Sequence, residues 1–382
     1  KEELIMRTKK IIAVICTLSV VTASMVGCNN TKPTVTSTSE ISAKTAADEK
    51  TDSKKPKYVF LFIGDGMSYP QIQSTNYYLN ALENKTSMGN KDDNTILTKS
   101  KDVLEFLEFP VAGSAQTYDS TSFCPDSAST ATSLSTGHKT YSGTINMNEN
   151  ATESYETITE KLYKQLGYKI GIVSSVNLNH ATPAAFYCHQ ESRSNYYDIG
   201  LELIKSDFDY FAGGGLLKPT GEEENQEDLY SLAEKSGYTI VTTQKEAEKV
   251  TSDTGKVIII DEHLADSDSM DYEIDRTDDE WSLANYVSKG IDCLSEDNDK
   301  GFFMMVEGGK IDWACHANDA ASTMTDTKAF SNAVNEAVDF YNEHPDETLI
   351  LVTGDHETGG MTIGYAGTNY DTFLQNLSNQ KI

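Results

Sequence analysis

Residues 58–66 read Tyr58-Val59-Phe60-Leu61-Phe62-Ile63-Gly64-Asp65-Gly66. Six apolar residues, aromatic and β-branched and without polar alternation, predict a buried parallel strand. The Gly-Asp-Gly that stops the run predicts a turn carrying a carboxylate. Three more runs share the pattern, at 170–173, 302–306 and 348–352, with helical stretches such as 153–166 and 325–341 between them. That alternation predicts an α/β fold: a doubly wound, mostly parallel central sheet with helices on both faces. The chain has 382 residues, 38% of them hydrophobic, which suffices for one large core and excludes wholesale disorder.

The ends of those runs carry the chemistry. The first leads into Asp65, the second into His180-Ala181-Thr182-Pro183, and the third into Glu307-Gly308-Gly309 with Asp312 and His316 beyond. The fourth ends in Thr353-Gly354-Asp355-His356. Open α/β sheets bind ligands outside the carboxyl ends of their strands, and here those ends hold most of the metal-type side chains. A metal site is expected. Elsewhere, Cys124-Pro125-Asp126-Ser127-Ala128 opens a small-residue helix ending near Gly137. A helix N-terminus favours a phosphate group or an oxyanion. A serine hydroxyl is a poor nucleophile unless a base or a metal activates it, and no His neighbours Ser127 in sequence. Metal activation is the economical reading.

With 31 Lys and Arg against 59 Asp and Glu, the net charge is −28. Such a field repels phosphate backbones and anionic lipid, so nucleic acid is excluded as a partner. An anionic substrate then requires a locally cationic pocket. At the N-terminus, Met6 is followed by Arg7, Lys9 and Lys10, an apolar run to Gly27, and Cys28. This is the layout of a secretory signal, residues 1–28, with Cys28 as the lipidation site of a lipoprotein. Residues 29–57, rich in Thr, Ser, Lys and Ala, read as a flexible tether. The protein is therefore expected outside the cytoplasm, on the membrane through its N-terminal lipid only. Cys124, Cys188, Cys293 and Cys315 have no metal-type spacing, and spacing does not choose a disulfide pairing among them.

Taken together, Asp65-Gly66-Met67, Asp126-Ser127-Ala128, Ala181-Thr182-Pro183-Ala184-Ala185, Arg193, Val306-Glu307-Gly308, Ile311-Asp312, His316 and Thr353-Gly354-Asp355-His356 resemble the alkaline phosphatase family. They occur in the family's order over residues 58–360. The resemblance implies two Zn2+ and one Mg2+ around a serine that becomes phosphorylated, the third site being open to Zn2+ as well. It implies that Asp65 bridges one zinc and the magnesium, that Asp355 and His356 complete that zinc, and that Asp312 and His316 hold the other. Thr182 and Glu307 would hold magnesium with Asp65, while Arg193 clamps the phosphate and Asp126 orients it. Small phosphate monoesters are the implied substrates, with a homodimeric assembly left open.

Some positions depart from the family pattern. His180 stands where bacterial members often have Asp, and Trp313 where Lys or His is common; both adjoin the third metal and the phosphate. The family's last zinc-ligand His follows the Asp-His pair, yet none of the seven His lies beyond Glu357. A sequence cut short at its C-terminus is expected, so the domain is read as 58–382 and incomplete. The stretch 218–277 matches no motif and reads as an acidic, loop-rich insertion. A sulfatase or phosphodiesterase on the same scaffold is the nearest alternative. The sulfatase pattern of Pro and Arg after the modified residue is absent at Cys124, and Arg193 favours a terminal phosphate over a diester. A surface lipoprotein that binds phosphate through a crippled site is the third reading.

Overall fold

The run at 58–63 forms β1 (Tyr58–Gly64) in a computed structural model that describes residues 55–83 and 104–362. The signal segment with Cys28, the tether as far as residue 54, and residues beyond 362 lie outside the described residues. After β1 come α1 (Tyr69–Glu83), α2 (Ser127–Thr136), α3 (Ile158–Lys161), β2 (Lys169–Ser174), α4 (Ala181–Ala184) and α5 (Tyr196–Ser206). Next are β3 (Tyr210–Gly213), α6 (Leu229–Lys235), β4 (Thr239–Val241), α7 (Gln244–Ala247), β5 (Val257–Ile260), β6 (Leu264–Ala265) and β7 (Ser269–Met270). The described chain closes with α8 (Leu283–Ser295), β8 (Phe302–Gly308), α9 (Lys310–His316), α10 (Ala320–Glu343) and β9 (Thr348–Gly354).

Seven strands pair in parallel in the order β4-β5-β3-β2-β8-β1-β9. Side chains alternate across the sheet. Phe60, Phe62, Met304 and Val306 pack with Tyr286 and Val287 of α8 and Phe330 and Val334 of α10. Leu61, Ile63, Ile172 and Met305 pack on the other side with Ala128 of α2, Ala184 of α4, Ile199 of α5 and Leu229 of α6. On β1, β2 and β8 both faces are covered, which is why these strands read as unbroken apolar runs, whereas the edge strand β9 leaves Leu349 and Leu351 exposed. Each large side chain so buried contributes about 1.5–3 kcal/mol.

Register then places the chemistry. Gly64 lies opposite Gly308 on one side and Gly354 on the other, so Asp65 and Asp355 leave the sheet side by side. Glu307 pairs with Ile63 and with Ser174. The turn after β1 lies directly on β9, because a Cβ at Gly354 would fall 1.9 Å from the Met67 carbonyl oxygen. Only glycine fits there.

Two expectations need correction. The stretch 218–277 is not loop-rich: it carries α6, β4, α7 and β5, and thus two strands of the central sheet. Residues 153–166 are helical only from Ile158, since Ser154 instead bridges Met147, and the last turn, Leu162–Leu166, is a π turn closed by Gly167. Among the described residues, no helix is long and apolar enough to cross a membrane. The four described cysteines are free thiols, with Cys124 exposed and the others buried.

Candidate active site

Asp126 caps α2, accepting from the Ser129 backbone N–H at 3.2 Å and so setting Ser127 as the first helical residue. The same Oδ1 accepts from Gly143 N at 2.9 Å, and Oδ2 takes Arg193 Nη1 at 2.8 Å. Burial works against its charge, but the Gly143 amide and the Arg193 guanidinium hold the carboxyl below the usual range. Arg193 is gripped on its other side too, with Nη2 3.0 Å from His180 Nε2. Burial and then Arg193 push His180 down to about 3, so the ring is neutral and accepts that hydrogen bond. Trp313 meets the His180 ring edge-on, centroids 6.0 Å apart.

Ser127 Oγ lies 3.3 Å from Asp65 Oδ1 and 3.3 Å from His356 Nε2. His356 Nε2 is itself 3.3 Å from Asp65 Oδ1 and 3.5 Å from Asp355 Oδ2. Asp65, Asp355 and His356 therefore surround one small volume, and Asp65, His180 and Glu307 surround a second. Thr182 Oγ1 donates to Asp65 Oδ2 at 3.3 Å. All of these residues are buried. Burial, then the facing Asp355, Asp312 and Glu307, push the Asp65 carboxyl well above its ordinary range. Burial raises Glu307 to about 7, although the Ser174 hydroxyl donates to its Oε2.

Do these residues fit metal ions? Crowded, buried carboxylates without a counter-charge are strongly unfavourable, and a divalent cation removes the cost. Glu307 Oε1 is buried with no hydrogen-bond partner among the described residues, an acceptor with room for a cation. The His and carboxylate set at Asp65, Asp355 and His356 suits zinc, while Asp65, Glu307 and Thr182 offer oxygens, as magnesium prefers, beside the unpartnered Nδ1 of His180, which would suit zinc. The fit is good at both. Asp312 and His316 stand at i and i+4 on α9, Nε2 3.5 Å from Oδ2, with His316 71% exposed. Among the described residues, no third metal-type side chain joins that pair.

Of the residues expected from the sequence, Ser127, Asp126, Arg193, His180, Asp65, Thr182, Glu307, Asp355 and His356 lie within one connected cluster that Trp313 and Asp312 border, whereas His316 reaches only Asp312 and Cys28 lies outside the described residues. Three hydroxyls were not expected. Thr358 Oγ1 donates to Asp312 Oδ1 at 2.6 Å and lies 3.2 Å from His356 Nδ1, tying the two metal-type clusters together. Thr130 Oγ1 donates to Asp355 Oδ2 at 3.0 Å, and Ser174 serves Glu307. Thr358 follows His356 by two residues, and Thr130 lies one turn into the Ser127 helix; position was the available signal.

The alkaline phosphatase family model matches residues 56–381. Alkaline phosphatase 4 of Bacillus subtilis is 32% identical over 84% of this chain and 66% of its own length. Alkaline phosphatase 3 of the same organism is 32% identical over 87% of this chain and 68% of its own. The chain thus spans about two thirds of the length of these relatives. Among solved structures, a cold-active alkaline phosphatase from a psychrophilic Shewanella superposes with TM-score 0.67 at 34% identity, covering 80% of this chain and 70% of that one. A mutant alkaline phosphatase of TAB5, with Mg bound in its M3 site, gives TM-score 0.67 at 30% identity, covering 81% and 80%.

Proposed function

Because the chain belongs to the alkaline phosphatase family, we propose that it hydrolyses phosphate monoesters by way of a phosphoserine on Ser127. The observation that carries this reading is the convergence of Ser127 Oγ, Asp65 and His356 within 3.3 Å of one another, at a helix N-terminus that Arg193 overlooks. Asp65, Asp355 and His356 would hold one zinc, Asp312 and His316 would contribute to a second, and Asp65, Thr182 and Glu307 would hold magnesium. When bound, these cations supply Lewis-acid charge at the serine hydroxyl and the ester oxygens, and they make the pocket of an acidic chain cationic.

The chain's own groups do the rest. Arg193 binds two non-bridging oxygens of the phosphoryl group, its plane fixed by Asp126 and His180 on opposite sides. The free amides at the start of α2 add partial positive charge. Ser127 Oγ forms the new O–P bond as the ester O–P bond breaks, its proton passing to solvent and the leaving alkoxide taking one up. Water then attacks phosphorus and restores the serine hydroxyl, releasing inorganic phosphate. An extracytoplasmic, lipid-anchored location belongs to the same reading, and the Cys28 segment supports it.

The test is Ser127→Ala, with p-nitrophenyl phosphate in the presence of zinc and magnesium. Turnover is expected to fall on the order of 10³-fold or more, the scale of losing a nucleophile. Wild-type turnover in the variant, or greater activity on a diester than on the monoester, would refute it.

A further inference from the structure

We propose that His189, clamped between Glu160 of α3 and Glu202 of α5, is a positioning residue for Arg193: it locks the segment 189–193 that presents the guanidinium to phosphate. The inference rests on the phosphatase reading above. His189 Nε2 lies 3.4 Å from Glu160 Oε2, and Nδ1 lies 3.6 Å from Glu202 Oε2. Nε2 is also 3.0 Å from the Tyr155 carbonyl oxygen. Nε2 donates to the Tyr155 carbonyl oxygen, and Nδ1 faces the Glu202 carboxylate at ion-pair distance, so a proton on each nitrogen has an acceptor or an opposite charge beside it.

The segment is held from both of its ends. His189 N donates to Glu202 Oε2 at 2.9 Å, and Gln190 Nε2 donates to Glu202 Oε1 at 2.5 Å. Gln190 exchanges both backbone hydrogen bonds with Ile145, at 2.9 and 3.0 Å. Arg193 N then donates to Gly143 O at 2.7 Å, and Gly143 N donates to Asp126 Oδ1. Hydrogen bonds, linked by the short backbone stretches 143–145 and 190–193, therefore join the clamp to both ends of the Arg193–Asp126 pair. Among the described residues, no hydrogen bond or ion pair joins His189, Gln190 or Ile145 to a metal-type residue of the site.

Charge agrees with geometry. Burial disfavours the charged ring, but Glu160 and Glu202 outweigh it and raise His189 to about 9. Burial also opposes charge on Glu160, yet His189, the Thr157 amide and Lys164 bring it down to about 2, and Glu202 is lowered for similar reasons. The charged and titratable groups facing the ring are Glu160 with its partner Lys164 from α3 and its continuation, Glu202 from α5, and the buried Cys188 thiol next to it. His138 stacks on Tyr155, whose carbonyl the ring meets. As pH passes about 9 the ring loses its proton and two carboxylates lose their shared cation. The segment then loosens, and Arg193 releases phosphate more readily.

The experiment is calorimetric titration of inorganic phosphate into the full chain, supplied with zinc and magnesium, for wild type, His189→Gln, Arg193→Ala and the double variant. His189→Gln is expected to weaken phosphate binding about 5- to 10-fold, and the double variant to match Arg193→Ala, because the two changes act through one network. Repeated across pH 8–10, the wild type should show a weakening step near 9 that His189→Gln lacks. Glu202→Gln, which keeps shape and removes one charge, should weaken binding in the same direction even if His189→Gln does not fold. Wild-type affinity in the folded His189 or Glu202 variants, full additivity with Arg193→Ala, or the same pH step in both proteins would overturn the proposal. A wild type that binds no phosphate would remove the phosphatase reading, and the positioning role with it.

Discussion

At the scale of single residues, the site is a set of carboxylates that each need a specific neighbour. Asp312 shows it best: its Oδ1 accepts from Thr358 at 2.6 Å while Oδ2 turns toward His316. A hydroxyl that fixes a ligand's orientation commonly changes metal affinity 10- to 100-fold when removed. Thr358→Val keeps the shape and should therefore lose zinc about 10-fold more readily, measured by competition with a chromophoric chelator; unchanged retention would count against the coupling. Asp65, Glu307, Asp355 and His356 were legible because each interrupts or follows an apolar run beside glycine, where a polar residue needs a reason. Thr130, Ser174 and Thr358 were not, since hydroxyls are common and their partners are set by tertiary packing. His180 was legible as a departure from the family pattern, but its bond to Arg193 had to be seen.

Among the elements, legibility followed the length of the apolar run. β1, β2, β8 and β9 lie where their apolar runs predicted, each lengthened by one or two residues. β4 and β5 escaped notice because they are short, Thr239–Val241 and Val257–Ile260, and are embedded in acidic sequence that dominates a composition reading. The helix at Ser127 was announced by its cap at Asp126 and closes at Gly137, whose φ of 79° is the left-handed conformation that favours glycine. Phe62 stands in the middle of β1, fully buried and edge-on to Phe330 of α10. Phe62→Ala should cost about 3–5 kcal/mol, read as a lower urea midpoint at unchanged slope. A shift below about 1 kcal/mol would mean that the site can collapse around the cavity.

For the whole molecule, the net charge of −28 and the buried carboxylates make stability depend on metal and on pH together. Asp65 and Glu307 bind protons more tightly folded than unfolded, so without metal each opposes folding as pH rises above the unfolded carboxylate range. For Glu307 the window runs from 4.5 to about 7. Chelated protein should accordingly lose Tm across that window, and zinc with magnesium should restore it; a Tm that ignores chelator would contradict the metal reading. His189 tilts stability in the same direction over a higher window: being raised from 6.5 to about 9, its contribution is complete below 6.5 and lost as pH climbs through 9.

The central claim is that Ser127 carries the phosphoryl group. Acid-quenching the metal-loaded protein during turnover of p-nitrophenyl phosphate, followed by peptide mass mapping, tests it directly. The account predicts one phosphate on the peptide containing Ser127 and none in Ser127→Ala. Steady turnover with that serine never modified, or label on another residue, would contradict it.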